Sequence, residues 1–292
     1  MSLVTSRTAE LDTFCLMLRT RFLSAAVLLP VVFTCIYLGA LPFLILVTLL
    51  LTLAEIEFCQ LMARGGFHPV PIFGLGLVWL SLADAYLKAQ FPALGLELLQ
   101  PGLTLLLLGS LSWQLFHRHE SPVTDWALTV IGGLYLGLCG ACIIGLRGLR
   151  PDGLWWTLTA IPAILLADTG AYFFGRAWGR HKLAPTLSPG KTWEGYLAGV
   201  VVGGLLTALL ASLWHAQAGT VIAVTGLHGL VLGVLIAIFA PLGDLAVSMV
   251  KRQVGAKDSG TIIPGHGGAL DRVDSVLWAA VIGYYYVQMF IL

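Results

Sequence analysis

Apolar residues run along this chain in long unbroken blocks, with neither the alternation of a half-buried strand nor the narrow stripe of a soluble amphipathic helix. Nine blocks approach the roughly 20 residues that a helix needs to cross a bilayer. They fall near 22–39, 41–58, 70–87, 101–116, 126–146, 154–174, 195–214, 221–243 and 275–292. The pattern predicts an all-α polytopic membrane protein of about nine transmembrane helices. The intervening loops are too short to hold a separate soluble domain. The first block carries no small-residue cleavage site after a short apolar core, so it reads as a retained helix and not as a signal peptide.

Basic residues give the blocks a direction, because short cytoplasmic loops collect Lys and Arg. With the N-terminus cytoplasmic, thirteen of the 16 basic residues fall on the cytoplasmic side, and only Lys88, Arg147 and Arg150 fall opposite. The expected arrangement is therefore N-terminus inside and C-terminus outside. Residues 1–21 form a cytoplasmic N-terminal segment, and 22–165 a scaffold of membrane helices with scattered polar sites such as Glu55, Glu57 and Asp84. Residues 166–292 form a catalytic membrane region carrying two polar cytoplasmic loops.

Composition agrees with a bilayer setting: 58% of residues are hydrophobic and 11% charged, against about 25% charged in soluble domains. The net charge of +1 provides no basic field for a nucleic acid. The pair Cys139 and Cys142 has no second pair to complete a zinc site. Glycines at i+4 spacing, Gly195/Gly199/Gly203, Gly133/Gly137 and Gly229/Gly233, mark faces where helices approach closely.

The chemistry gathers in the two polar loops. The first contains Asp168-Thr-Gly-Ala-Tyr172 at a helix end, Arg176, Arg180-His181-Lys182, and Ser188-Pro-Gly-Lys191-Thr-Trp-Glu194-Gly195. A carboxylate at the depth of Asp168 is costly without a partner or a task. Gly190-Lys191-Thr192 resembles the tail of a phosphate-binding P-loop, but position 185 is proline where that motif needs glycine, so that reading fails. A turn remains that presents Lys191 and the free amides of a helix start, suited to an anionic phosphate. In the second loop Asp244, Ser248 and Arg252 share a helix face, with Lys251 beside them, and Asp271 and Asp274 share another. Together the loops offer eight Lys/Arg and six carboxylates, Asp168, Glu194, Asp244, Asp258, Asp271 and Asp274. Such a cluster suits Mg²⁺, which takes one or two carboxylates plus substrate phosphates; a solvated salt-bridge rim is the purely structural alternative. Neither a Gly-x-Ser-x-Gly elbow nor a His-Glu-x-x-His zinc motif occurs.

The run from Ser248 to Asp274 closely resembles the phosphatidate cytidylyltransferase, or CDP-diacylglycerol synthase, family. It matches at Ser248, Lys251-Arg252, Lys257-Asp258, Gly260, Pro264, His266-Gly267-Gly268 and Asp271-Arg272-x-Asp274. The Asp168, Gly-Arg-His-Lys and Ser-Pro-Gly-Lys segments are similar too, while Ala269 replaces a bulkier aliphatic. The resemblance implies Mg²⁺-dependent transfer of a cytidylyl group from CTP to phosphatidic acid, giving CDP-diacylglycerol and pyrophosphate for phospholipid synthesis. It implies Asp244 and Asp271 as leading metal ligands, with room for a monovalent ion such as K⁺. Asp274 and Asp168 follow as metal candidates, and Lys257 and Asp258 join the catalytic set. Substrate-binding candidates are Ser188, Lys191, Ser248, Lys251, Arg252, His266, Gly267, Gly268 and Arg272, with Lys191, Arg252, Lys257 and Arg272 placed to neutralise phosphate. A bacterial cytoplasmic (inner) membrane and a homodimer are further expectations. An ion-coupled transporter would carry its carboxylates near the bilayer midplane, and a polyprenol kinase would lack the Lys-Asp and His-Gly-Gly-x-x-Asp-Arg-x-Asp combination.

Overall fold

In hydrocarbon a backbone must satisfy its own N–H and C=O groups, so long apolar blocks become helices. The computed structural model describes residues 26, 28–117, 120–219, 222–260 and 267–292. The expected N-terminal segment 1–21 and the site candidate His266 lie outside them. The helices are α1 (Leu28–Leu38), α2 (Ala40–Arg64), α3 (Pro71–Gln90), α4 (Leu99–Phe116), α5 (Pro122–Gly148), α6 (Gly153–Trp178), α7 (Trp193–Ala218), α8 (Gly226–Phe239), α9 (Pro241–Gln253) and α10 (Leu270–Phe290). Among the described residues, six helical stretches are long and apolar enough to cross a membrane: α2, α3, α5, α6, α7 and the α8–α9 run, Gly226–Gln253. The chain is a multi-pass all-α membrane protein.

Three local departures from the sequence reading shape the site. The block expected as one span at 221–243 is helical only from Gly226, where Thr225 caps α8 by accepting the His228 N–H. It then breaks at Ala240, because Pro241 has no N–H to give to the preceding turn, and the chain re-enters helix as α9. Asp168, expected at a helix end, lies ten residues before the end of α6 at Trp178. Between α6 and α7 the chain forms a small antiparallel hairpin, β1 (Lys182–Ala184) and β2 (Ser188–Thr192), pairing Lys182 with Thr192 and Ala184 with Ser188. Glu194 fixes this hairpin by accepting the Arg180 N–H at 3.0 Å and meeting His181 Nδ1 at 2.6 Å.

The glycine ladders are packing surfaces within the chain. Gly195, Gly199 and Gly203 of α7 are buried, and a Cβ at Gly199 would lie 2.9 Å from the Ala167 carbonyl and 3.0 Å from Ala171 Cβ on α6. Gly133 and Gly137 of α5 press on the α3 backbone at Gly74 and Leu77, and Gly229 and Gly233 of α8 press on Thr207 of α7. These faces are used inside the fold, so they lend no support to the expected homodimer. Gly199→Val is expected to force α6 and α7 apart, at about 1–3 kcal/mol, the usual cost of overpacking. A lowered thermal unfolding midpoint of the detergent-purified protein is the check.

Candidate active site

Four elements converge on a cavity of about 640 Å³: the C-terminal half of α6, the hairpin with the start of α7, the first turn of α9 and the first two turns of α10. Its wall includes Asp168 and Arg176 from α6, Ser188 and Lys191 from β2, Asp244 from α9, and Asp271 and Asp274 from α10. Two polar loops nearly eighty residues apart in sequence thus supply one site.

The hairpin is what aims Lys191. Thr192 ends β2 in extended backbone and caps α7 by accepting the Gly195 N–H at 3.2 Å, so Lys191 is the strand residue just before the cap and its side chain reaches across the cavity to Asp244. Lys191 Nζ meets Asp244 Oδ2 at 2.7 Å, both side chains about one-third exposed. The Pro241 break sets the position of Asp244 in the first turn of α9.

Asp271 is held more tightly. Its Oδ1 pairs with Lys251 Nζ at 2.6 Å, with both side chains 10% exposed. Its Oδ2 accepts the Ser259 N–H at 2.9 Å, the Ser259 hydroxyl at 3.0 Å and the Gly268 N–H at 3.3 Å. Gly267 adopts φ +77° beside this carboxylate, a conformation that only glycine takes without strain. On α6, Arg176 Nη1 donates to the Tyr172 hydroxyl at 2.9 Å, and both groups line the cavity.

Four carboxylates therefore share a wall with two cations, Lys191 and Arg176, while Lys251 neutralises Asp271 from behind. Among the described residues, neither Asp168 nor Asp274 forms an ion pair. No three His, Cys, Asp or Glu side chains among them form a ready-made metal cage. The donors are all oxygen, and the carboxylates outnumber the facing cations, which fits a hard divalent cation completing its coordination with phosphate oxygens and water. Cys139 and Cys142 remain free thiols on α5.

The sequence-predicted residues divide by position. Asp168, Ser188, Lys191, Asp244, Asp271 and Asp274 meet at the cavity. Ser248 and Lys251 are buried along α9 behind it, and Gly267 and Gly268 lie against Asp271. Arg252, Lys257, Asp258 and Arg272 are exposed and stand outside the cavity wall; the Arg252 guanidinium donates to the Ala256 carbonyl. Arg176, Tyr172 and Tyr196 line the cavity without having been among the predicted site residues. Arg176 was visible only as one of many loop cations. Its helical spacing from Asp168 and Tyr172 was the available signal, since positions 168, 172 and 176 share one face of α6.

Residues 19–290 match the profile of the cytidylyltransferase family. A Bacillus subtilis (strain 168) protein named phosphatidate cytidylyltransferase is 30% identical over 273 residues, covering 94% of this chain and 98% of its own length. Proteins of the same name are 42% identical over 176 residues in Brucella suis biovar 1 (58% of this chain and 61% of that protein) and 48% identical over 143 residues in Haemophilus influenzae (48% of each).

Proposed function

The chain belongs to the cytidylyltransferase family, and from that premise we propose that it transfers the cytidylyl group of CTP to phosphatidic acid, giving CDP-diacylglycerol and pyrophosphate. The observation that carries the reading is the single cavity in which carboxylates from α6, α9 and α10 face Lys191 and Arg176. Such a site suits two polyanions that must meet beside a cation.

In the reaction a phosphatidate phosphate oxygen forms a bond to the α-phosphorus of CTP as the bond to the β-phosphate oxygen breaks. A phosphate monoester is already largely ionised at pH 7, with a second pKa of about 6. The site thus needs no general base, and the absence of a triad motif is consistent with the chemistry. What remains is positioning and charge stabilisation. Lys191 and Arg176 are placed to neutralise phosphate at the cavity, and Ser188 on β2 offers a hydroxyl there. Asp244 and Asp271 would hold Mg²⁺, with Asp274 and Asp168 next in reach and room for a monovalent ion such as K⁺. When bound, the divalent ion polarises the α-phosphate and stabilises the leaving oxygens.

The sidedness argued from the basic residues joins this proposal. With about nine spans, the N-terminus inside and the C-terminus outside, the hairpin and the α9–α10 segment face the cytoplasm, where CTP is found. The relatives are bacterial, and we assign the protein to a bacterial inner membrane. Phosphatidate would keep its acyl chains in hydrocarbon while its headgroup enters the cavity.

The decisive experiment supplies CTP, Mg²⁺ and phosphatidic acid to the detergent-purified protein. The expected result is pyrophosphate and CDP-diacylglycerol in equal amounts, abolished by EDTA and absent when ATP replaces CTP. Intact, folded protein that gives no CTP-dependent product in several lipid mixtures would overturn the proposal.

A further inference from the structure

We propose that Glu57, on α2 and outside the cavity, is a positioning residue that fixes Asp271 through the start of α10. This inference rests on the transfer reaction proposed above.

The side chain of Glu57 is completely buried, at 0% exposure. Its Oε1 accepts the Ala269 N–H at 2.9 Å, and its Oε2 accepts the Leu270 N–H at 3.0 Å and the Ser259 hydroxyl at 2.9 Å. Ala269 and Leu270 open α10, whose first N–H groups have no partner within the helix. No cap side chain from α10's own neighbourhood serves them; a carboxyl from a helix more than two hundred residues earlier does. The same Ser259 hydroxyl lies 3.0 Å from Asp271 Oδ2. A continuous path therefore runs from Glu57 through Ser259 to Asp271 and on to Lys251. That hydroxyl has one proton to donate and lies within reach of both carboxyl groups, so moving either group changes how the proton is shared with the other.

Glycine use along the path points the same way. A Cβ at Gly260 or Gly268 would collide with the Glu57 carboxyl, so the loop backbone closes on that group as a socket. Glu57 touches none of the cavity wall, and its effect on the chemistry would be transmitted by where it holds Asp271. Partners of this kind, one step behind a metal-binding side chain, typically matter by about 10- to 100-fold in metal affinity or activity.

Glu57→Gln separates this role from simple core filling. The amide is nearly isosteric, but in either orientation its NH₂ faces a backbone N–H, at Ala269 or at Leu270. The purified full-length variant is measured in three ways: thermal unfolding, hydrogen–deuterium exchange of peptides covering 256–272, and the Mg²⁺ concentration giving half-maximal CTP-dependent turnover. Loss of active protein alone lowers the rate without moving the Mg²⁺ midpoint. Glu57→Gln is expected to exchange faster at 267–271 and to need about 10- to 100-fold more Mg²⁺. Glu55→Gln serves as the control: Glu55 is buried two residues away, is hydrogen-bonded to Cys59, and makes no bond to the loop. It should match the wild type in exchange and Mg²⁺ dependence. Wild-type exchange or a wild-type Mg²⁺ midpoint in Glu57→Gln overturns the proposal. If that variant does not accumulate folded, Glu57→Asp, which keeps the charge but draws the carboxylate back from the Ala269 and Leu270 amides, decides by the same two readouts: faster exchange at 267–271 with a raised Mg²⁺ midpoint supports the proposal, and wild-type values overturn it. If the wild type itself shows no turnover, the transfer reading fails, while the exchange comparison still decides whether Glu57 holds the loop.

Discussion

Asp271→Asn is expected to lower CTP-dependent product formation by at least about 1,000-fold, the upper range for losing one group that stabilises developing charge, while leaving an inserted, folded protein. The carboxylate of Asp271 faces the cavity and is fixed by four interactions, with Lys251, the Ser259 backbone and hydroxyl, and the Gly268 backbone. Asparagine fills the same volume, so the fold should survive. It removes the negative charge, however, and leaves Lys251, itself only 10% exposed, as an uncompensated buried cation. The amide NH₂ must also face either Lys251 or the Ser259 and Gly268 donors. Pyrophosphate release measured beside size-exclusion and thermal unfolding of the same sample tests this. Turnover within tenfold of the wild type would remove Asp271 from the proposed metal site.

Much of this arrangement could be read from the chain before folding. Apolar blocks locate helices because hydrocarbon leaves the backbone no alternative, and the Gly195, Gly199, Gly203 spacing announced a close helix contact, whose partner the structure shows to be α6. The residues that carry charge into the cavity were also visible, as Asp168, Lys191, Asp244, Asp271 and Asp274. Legibility failed where a residue's role depends on distant backbone. Ser188 to Thr192 reads as a Pro-Gly turn, yet becomes a strand because Glu194 gathers the amides of Arg180 and His181. Glu57 reads as one scattered polar site among several, because its partners lie at the other end of the chain. Charge counting found eight loop cations but could not sort them: Lys191 and Arg176 line the cavity, whereas Arg252, Lys257 and Arg272 are exposed and are not among its lining residues.

Asp244→Asn should produce a loss of similar size to that of Asp271→Asn, but with a different coupling. Asp244 and Lys191 are joined at 2.7 Å across the cavity, one from α9 and one from the hairpin. Both are partly exposed, so an incoming polyphosphate can compete with Asp244 for Lys191. With Lys191 engaged by phosphate, the Asp244 carboxylate would be left free to hold a cation, so the two events would support each other. Lys191→Ala therefore removes a phosphate partner and also leaves the Asp244 carboxylate without its cation. Its expected cost is about 100-fold, close to the value for one lost contact to developing charge, and it should appear largely as a raised KM for CTP. In the double variant the losses should fall short of their product by about 0.5–3 kcal/mol, the range for directly coupled pairs. Residues acting as a unit behave this way, because the second substitution removes an interaction the first has already disabled. A double variant whose losses multiply fully would mean that the ion pair is a surface contact with no part in the reaction, and that the hairpin merely closes the cavity.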